Sequence, residues 1–472
     1  MLPKAAKRMI QEQAQPEIKE PIGILGFGVE GASTCRFLLN LGHRDITVFD
    51  RNPPQDLEPR VRYAATAGST TTGASGDGNP CHYLSGLASM RTVFRSAGVR
   101  PDLPEIAAFI ASGGTLTSQT GLAISLVGRD RIIGVTGTVG KGTCCSLLYA
   151  MLQEADIPAQ LGGNIGVPAL DLAASLAPGD KLILELSSFQ LSTLAQSPAY
   201  AAVLRTTTEH LDWHPTRNEY WLHKSRLVSE QKEGDLLAWC ADAEGSARIA
   251  EHSRARKIAF GPDAEVRILG DEVRWTKRGF KIPLAATRLK GAFNLENIAA
   301  AGILALELGA EPRDVVAAAM AFKGLEHRLE FIRERNGVSF YNDSYATRPE
   351  ASMGAVKALR GAPMGLILGG SEKHADFTEL AVAIASAGHV RAIALIGQTA
   401  DRLRTELGKV GLLSSGGAPE LRDCPSLEAA VEFLMTRMDK GAIVLSPACA
   451  SFGMFENYKE RGKAFKRLIA EL

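Results

Sequence analysis

The sequence has few cysteines, few aromatic residues and no excess of either charge, and these shortages exclude several classes of protein. Its 472 residues include seven cysteines, an odd number without CxxC spacing. This argues against a disulfide framework or a zinc site and favours a reducing compartment. Lys and Arg total 53 against 52 Asp and Glu, so the chain lacks the positive excess that nucleic-acid binding needs.

Long apolar runs are also missing. The first twenty residues are charged and lack the apolar stretch of a signal peptide, and no later run reaches membrane-spanning length. We therefore expect a cytoplasmic protein that is neither secreted nor inserted in a membrane.

A glycine-rich segment lies between an apolar strand-like run at 131–135 and an apolar helix. It matches a phosphate-binding P-loop at Gly137, Thr138, Val139, Gly140, Lys141, Gly142 and Thr143. In such loops backbone amides cradle phosphates and the lysine neutralises their charge. The alternative is a tight strand-to-helix turn, which does not require a lysine. Because Gly142 follows Lys141 directly, Thr143 or water must supply the ligand that magnesium usually receives from that position.

An earlier glycine pattern consists of Gly26, Gly28 and Gly31, followed by Asp50 at the end of the next apolar run. It matches a dinucleotide fingerprint, and two interpretations remain open. The glycines either let a helix pack closely on a strand or hold a nucleotide phosphate. The pyrophosphate of a UDP group would fit such a site as well as a redox cofactor.

Alternating short apolar runs and amphipathic stretches indicate an α/β fold, and the length predicts roughly three domains of about 150 residues each. We predict an N-terminal Rossmann-like domain at 1–119, a central P-loop ATPase domain with a mostly parallel sheet at 120–324, and a C-terminal Rossmann-like domain at 325–472. Residues 66–80 are rich in Thr, Gly and Ser and are interpreted as a loop or an insertion.

Several further segments make the pattern more specific. They are GNIG at 163–166, LELSSFQL at 184–191, EHLD at 209–212, Lys224, HR at 327–328, NDS at 342–344 and SPACAS at 446–451. Together with the P-loop they resemble the Mur ligases, from about residue 21 to the end and least between 60 and 116. LELSSFQL and SPACAS resemble the members that add D-glutamate.

The resemblance implies ATP and two magnesium ions as cofactors. Lys141 corresponds to the phosphate lysine, and Thr143, Glu185, His210 and Lys224 to metal ligands, with Lys224 converted by carbon dioxide to a carbamate. A lysine in a desolvated, cation-rich pocket has a lowered pKa and can react in this way. Each residue alone also has an ordinary interpretation, as a strand-end carboxylate, a loop histidine or a solvated lysine.

The resemblance also implies nucleotide and substrate contacts. ATP would be bound by Asn294, Asn297, Arg328 and Asp343, and the UDP group by Gly26, Gly28 and Asp50. The muramoyl-alanine part would contact Asn164, Ser187 and Gln190, and the incoming amino acid Thr347, Lys373, Ser451 and Tyr458. Ordinary alternatives are a helix cap for the asparagines, a surface ion pair for Arg328 and a turn former for Asp343. The usual lysine of the family is replaced by Tyr345, so Lys373 should carry more of the charge recognition.

The implied reaction is ATP-dependent ligation of D-glutamate to UDP-N-acetylmuramoyl-L-alanine through an acyl phosphate, a cytoplasmic step of peptidoglycan precursor synthesis. Its catalytic residues would be Lys141, His210, Lys224 and Arg328, in a monomer whose C-terminal domain closes over the site. Folylpolyglutamate synthase is the nearest alternative, but it lacks an N-terminal βαβ unit such as 23–50. A P-loop switch or motor and a nicotinamide oxidoreductase are alternatives from other classes, and the glutamate enantiomer is not determined by sequence.

Overall fold

A computed structural model describes residues 17–64, 82–211, 213–412 and 419–472, which form three β-sheets with helices packed on them. The segment 66–80, predicted to be a loop or an insertion, lies outside the described residues, as does Asp212. The described chain divides into two compact units. The first takes the residues up to Pro283 together with Leu295–Ala319, and the second takes Leu284–Asn294 and Met320–Leu472. The boundaries 1–119, 120–324 and 325–472 stay predictions.

The N-terminal sheet of the first unit is parallel throughout, with the order β3-β2-β1-β4-β5. Its strands are β1 Ile22–Leu25, β2 Ile46–Phe49, β3 Arg62–Tyr63, β4 Thr92–Arg95 and β5 Thr115–Thr117. Its helices are α1 Val29–Leu41, α2 Pro104–Ala111 and α3 Gln119–Val127. Strands β1, β2 and β4 are fully buried, as expected for the inner strands of a sheet covered on both faces.

The second sheet of this unit has nine strands in the order β14-β13-β12-β11-β10-β9-β6-β8-β7. The strands are β6 Ile132–Thr136, β7 Ala159–Gly163, β8 Lys181–Glu185, β9 Tyr200–Val203, β10 Leu236–Cys240, β11 Arg256–Gly261, β12 Val266–Leu269, β13 Glu272–Trp275 and β14 Phe280–Pro283. The helices are α4 Lys141–Glu154, α5 Ala169–Ala173, α6 Ser188–Leu191, α7 Arg217–Ser225 and α8 Glu244–Glu251, followed by α9 Phe293–Glu307 and α10 Pro312–Ala321. Only the pairs β12–β13 and β13–β14 are antiparallel.

The second unit contains a six-stranded sheet in the order β15-β16-β20-β17-β18-β19. Its strands are β15 Glu330–Arg335, β16 Val338–Asn342, β17 Met364–Gly369, β18 Val390–Ile396, β19 Glu420–Asp423 and β20 Gly441–Leu445. Its helices are α11 Pro349–Ala358, α12 Thr378–Ala387, α13 Ala400–Lys409, α14 Leu427–Met435 and α15 Tyr458–Glu471. The edge pair β15–β16 is antiparallel and the remaining pairs are parallel.

The prediction of three α/β segments with mostly parallel sheets is confirmed. In parallel sheets the carboxyl ends of neighbouring strands lie at one edge, where ligands usually bind. In each of the three sheets some of the residues predicted to form the site lie at such strand ends: Gly26 follows β1, Glu185 ends β8 and Asp343 follows β16. Across the four described stretches of chain, we find no helix long and apolar enough to cross a membrane.

Candidate functional site

The central site lies at the carboxyl ends of four adjacent parallel strands, β9, β6, β8 and β7. The P-loop follows β6, Glu185 ends β8, and Asn164 comes directly after β7. His210 lies in the segment after β9. The sheet order therefore brings together residues that are up to 73 positions apart in the sequence, from 137 to 210.

The P-loop leads directly into a helix. Helix α4 begins at Lys141, and Gly140 before it has φ 86°, a left-handed conformation that favours glycine. A Cβ at Gly140 would overlap Oδ1 of Asn297, so the glycine also permits close approach of α9. The Lys141 amine donates hydrogen bonds of 2.9 Å to the carbonyl oxygens of Gly137 and Thr138. The loop thus places a cation and a helix N-terminus together, as phosphate binding requires.

The remaining P-loop residues differ in exposure. Gly142 and Thr143 are buried in the first turn of α4, whereas Val139 is 58% exposed. The Thr138 hydroxyl lies 3.0 Å from the hydroxyl of Tyr220, a helix α7 residue that we did not predict. The backbone N–H of Thr138 donates to the carbonyl oxygen of Arg205, which attaches the P-loop to the segment after β9.

Lys224 is the most deeply buried cation near the P-loop, with only 1% of the residue exposed. Its amine donates to Gly137 O at 2.9 Å and Thr136 Oγ1 at 3.2 Å, and lies 4.8 Å from the centre of the Tyr220 ring. Burial, followed by the charge of Lys141, holds the pKa of Lys224 well below its ordinary value. A solvated surface lysine, the ordinary alternative, is therefore wrong for this residue.

Glu185 is 2% exposed and faces the same loop. Its Oε1 accepts a 2.8 Å hydrogen bond from the side-chain amide of Asn164. Within the described residues its Oε2 is buried and has no hydrogen-bond partner. A buried carboxylate oxygen of this kind needs a cation or water, so it fits a metal ligand.

His210 has φ 57°, an uncommon conformation for a non-glycine residue. Its ring packs on Phe189 at a centroid distance of 4.7 Å, and its Nε2 lies 3.5 Å from a carboxylate oxygen of Glu209. The strained backbone holds the ring in a defined direction beside α6, but its role as a metal ligand stays a prediction.

Two of the three predicted muramoyl-alanine contacts, Ser187 and Gln190, form a cap on helix α6. The Ser187 hydroxyl accepts from the backbone N–H of Gln190, and Gln190 Oε1 accepts from the Ser187 N–H. The Gln190 side-chain amide then donates to Glu30 Oε1 at 2.7 Å. Ser187 and Gln190 thus have local structural roles, and their substrate contacts stay predictions.

Sequence reasoning missed two residues that link α6 to the N-terminal sheet, Glu30 and Arg95. Arg95, 2% exposed, donates to Phe189 O at 2.7 Å and Ser192 Oγ at 2.7 Å. The available signal was a charged residue directly after the apolar pair Val93 and Phe94 in strand β4. A buried arginine needs several hydrogen-bond acceptors, so it indicates a contact with another element of the fold.

The first glycine pattern has a clear packing role. A Cβ at Gly31 would overlap the carbonyl oxygen of Gly26, whereas Gly28 has open space around it. The Asp50 carboxylate accepts from the Phe27 N–H at 2.6 Å and therefore fixes the glycine turn. The contacts of Gly26, Gly28 and Asp50 with a UDP group stay predictions.

Asn294 and Asn297 lie one turn apart in α9. The helix begins at Phe293, so Asn294 is inside the first turn, where its side-chain amide donates to Lys290 O at 2.8 Å. Asn297 is 3% exposed. Its overlap with a hypothetical Cβ at Gly140 shows that it lies against the P-loop, near the expected nucleotide.

In the second unit, Arg328 is in a loop with left-handed residues on both sides, His327 at φ 66° and Leu329 at φ 44°. Its guanidinium lies 3.9 Å from the centre of the Tyr345 ring. Asp343 accepts from the Leu329 N–H at 3.0 Å and from the Ser446 hydroxyl at 2.7 Å. Burial raises the pKa of Asp343 to about 7. Asp343 therefore fixes the Arg328 loop, and its contact with ATP stays a prediction.

The predicted acceptor residues follow the ends of three adjacent parallel strands, β16, β20 and β17. Ser371 pairs with Ala450, which joins the loop of Lys373 to that of Ser451, and the Lys373 amine lies 5.5 Å from the Phe452 ring centre. Tyr458 begins α15, and its ring lies 5.1 Å from that of Tyr345. The Thr347 N–H donates to Tyr345 O at 2.8 Å.

Comparisons with known proteins agree with this geometry. Residues 135–305 match the Mur ligase middle domain, and residues 327–449 match the Mur ligase, glutamate ligase domain. A protein of Symbiobacterium thermophilum is 33% identical over 467 residues, covering 97% of this chain and 99% of the relative. The chain belongs to the Mur ligase family. A second relative, from Acetivibrio thermocellus, is 34% identical and covers 95% of this chain and 96% of its own length. Both relatives are named UDP-N-acetylmuramoylalanine--D-glutamate ligase.

Solved Mur ligase structures share the fold. MurF ligase from Thermotoga maritima, solved in complex with ADP, has a TM-score of 0.58 at 16% identity and covers 98% of this chain and 96% of its own. UDP-N-acetylmuramate-alanine ligase MurC from the same organism has a TM-score of 0.56 at 15% identity, covering 96% and 99%. At these identities the likeness concerns the fold alone.

Proposed function

We propose that this Mur ligase joins D-glutamate to UDP-N-acetylmuramoyl-L-alanine with hydrolysis of ATP, as a cytoplasmic monomer in peptidoglycan precursor synthesis. Two near full-length relatives carry that name at 33% and 34% identity. The segments LELSSFQL and SPACAS support the same member of the family.

The observation that carries the proposal is the arrangement of Lys141, Lys224 and Glu185 at one end of the central sheet. Transfer of phosphate from ATP to a carboxylate brings two anions together, which requires concentrated positive charge. Lys141 at the start of α4 supplies it at the phosphates. A P-loop that only hydrolyses a nucleotide has no need of a second, fully buried lysine beside the first.

The residues present fit magnesium. Glu185 offers a buried Oε2 that has no partner among the described residues, and His210, Thr143 and Lys224 would complete the ligands of two ions. Lys224 fits this role as a carbamate, because its neutral amine can attack carbon dioxide, forming an N–C bond and losing one proton. The product is an oxygen ligand of the kind that magnesium prefers. Bound magnesium would neutralise phosphate charge during transfer.

The remaining residues would bind and orient the reactants. Asn164, Ser187 and Gln190 are proposed to hold the muramoyl-alanine end, with the UDP group at Gly26, Gly28 and Asp50. Lys373, Thr347, Ser451 and Tyr458 are proposed to hold glutamate so that its amine attacks the acyl phosphate. Arg328 would add charge at ATP. Water exclusion from the acyl phosphate would prevent its hydrolysis.

Phosphate release and product mass, measured together, test the proposal. With ATP, magnesium and UDP-N-acetylmuramoyl-L-alanine, we expect release only when D-glutamate is added, together with one new amide product. L-Glutamate and L-lysine serve as matched acceptor controls. Equal release without any acceptor would support a P-loop ATPase instead, and product formation with L-lysine alone would assign the chain to another member of the family.

A further inference from the structure

Three side chains outside the proposed magnesium site converge in the first unit: His214, Glu219 and His223. The Nδ1 atoms of the two histidines are 3.1 Å apart, and the ligand atoms of all three residues lie within 4.8 Å of one another. His214 is fully buried, whereas Glu219 and His223 are partly exposed. The cluster is therefore reachable from solvent on one side.

The local structure brings these residues together. Glu219 and His223 are four positions apart in helix α7 and so lie on one face. The helix start is fixed by Thr216, whose hydroxyl accepts from the Glu219 N–H at 3.2 Å. His214 comes from a tight turn in which His210 O accepts from the N–H groups of Trp213 and His214, at 3.0 and 2.8 Å.

One hydrogen bond suits His214 for metal binding. Its Nε2 lies 2.9 Å from the Ser188 hydroxyl. When Nε2–H donates to that oxygen, Nδ1 carries a lone pair directed at His223, which is the tautomer that a metal ligand needs. With an ion about 2.0–2.1 Å from both Nδ1 atoms, the Nδ1–ion–Nδ1 angle would be roughly 100°, close to the tetrahedral value.

Aromatic rings surround the cluster. Phe189 stacks parallel to His214 at 5.6 Å, and the Trp213 ring lies 4.5 Å from His214 and 5.8 Å from His223. Tyr220 packs at 5.2 Å on the His214 ring. These contacts fix the orientation of the two imidazole rings.

We propose that His214, Glu219 and His223 bind a divalent transition-metal ion, for which Zn²⁺ is the best match. Two imidazoles and one carboxylate, with a fourth position open to water, are a zinc donor set, whereas magnesium prefers oxygen ligands. The cysteine pattern argued against zinc, but no cysteine takes part here. The proposal does not depend on the ligase activity.

The position of the ion would give it a structural effect on the ligase site. His210 and His214 belong to one turn, and His223 precedes Lys224 on α7. A metal bridge from His214 to α7 would therefore tie the turn that carries His210 to the helix that carries Lys224. We expect Zn²⁺ to raise the unfolding temperature of the protein.

Calorimetric titration of the full chain with ZnCl₂ tests the proposal, with excess magnesium present and without nucleotide or substrate. We expect one site with a Kd below about 10 µM, lost in His223→Ala and weakened at least about tenfold in Glu219→Gln. His252→Ala removes an exposed histidine elsewhere in the unit and should leave binding unchanged. Titration with Co²⁺ should give visible absorption bands that disappear in the same two variants.

Zinc binding that is unchanged in both His223→Ala and Glu219→Gln would overturn the proposal, as would the absence of any wild-type site. Binding that is lost in Glu185→Gln and kept in His223→Ala would place zinc at the proposed magnesium ligands instead. Near-isosteric Glu219→Gln keeps the test valid if His223→Ala fails to fold. Because no substrate is present, each outcome is independent of whether D-glutamate is ligated.

Discussion

The amine of Lys224 donates a 2.9 Å hydrogen bond to the carbonyl oxygen of Gly137, the first residue of the phosphate-binding loop. Lys141 donates to the same oxygen at the same distance. Two lysines thus share one acceptor. Burial, followed by the charge of Lys141, lowers the pKa of Lys224 and so favours its deprotonation.

Replacement of Lys224 by alanine should abolish ligation. The proposed carbamate cannot form, and one oxygen ligand of the metal is lost. Short carboxylates such as acetate should restore part of the activity of Lys224→Ala, because they can occupy the space of the carbamate. They should not restore activity to Lys141→Ala, because that variant lacks the positive charge at the phosphates. Full activity of Lys224→Ala without additive would contradict the assignment.

Lys373→Ala should raise the KM for glutamate at least about tenfold, equivalent to about 1.4 kcal/mol. Lys373 is the cation among the predicted acceptor residues, and its loop is joined to that of Ser451. The KM for ATP should change little. Lys440→Ala is a matched control, because this exposed lysine precedes β20 at the opposite end of the strand from Ser451. Equal increases for glutamate and ATP would show that the acceptor site is misplaced.

Tyr345→Ala should raise the KM for ATP several-fold, whereas Tyr345→Phe should behave like wild type. The aromatic ring, 3.9 Å from the Arg328 guanidinium, holds that side chain through a cation–π contact that needs no hydroxyl. Initial rates against ATP concentration measure both variants. If Tyr345→Phe is as impaired as Tyr345→Ala, the hydroxyl rather than the ring is responsible.

Asp343 should make the second unit less stable as pH rises. Its pKa is raised from 3.8 to about 7 in the folded protein, so the folded state binds the proton more tightly than the unfolded state. The stabilisation that this tighter proton binding gives the folded state is complete below about pH 4 and is lost as pH rises through about 7. Calorimetric unfolding of Asp343→Asn should lack this decline. Asp439→Asn, at an exposed position, should retain it.

Local patterns predicted much of the fold. The apolar run at 131–135 predicted β6, observed at Ile132–Thr136, within one residue at each end. The strands β12 to β14 and β15 were not predicted. Strands β12 to β14 lie at one end of the central sheet, and β15 is an edge strand of the six-stranded sheet. The pairs β12–β13, β13–β14 and β15–β16 are antiparallel, and residues that alternate between buried and exposed, or are mostly exposed, give only a weak apolar signal.

For the site, the P-loop pattern predicted Lys141, whereas Glu185 and Lys224 came from the resemblance to Mur ligases. Neither source showed that the Asn164 side-chain amide donates to one oxygen of Glu185.

The contact of the Lys224 amine with the Tyr220 ring and the hydrogen bond from Arg95 to Phe189 in α6 were also missed. The contacts of Arg95 with Phe189 and Ser192 join residues 94 and 97 positions apart, and the Asn164–Glu185 contact joins residues 21 positions apart, so local periodicity does not predict them. Tyr220 and Lys224 lie one turn apart in α7, but the periodicity of that helix does not show that the pair is buried beside the P-loop.

Transfer of an isotopic label tests the central claim most directly. UDP-N-acetylmuramoyl-L-alanine is prepared with ¹⁸O in the alanine carboxylate and incubated with ATP, magnesium and D-glutamate, and the released phosphate is analysed by mass. An acyl phosphate requires that one labelled oxygen passes to each phosphate that accompanies amide formation, and Lys141→Ala should release almost none. Phosphate without label would show that water attacks ATP directly, and would contradict the assignment of this chain as a ligase.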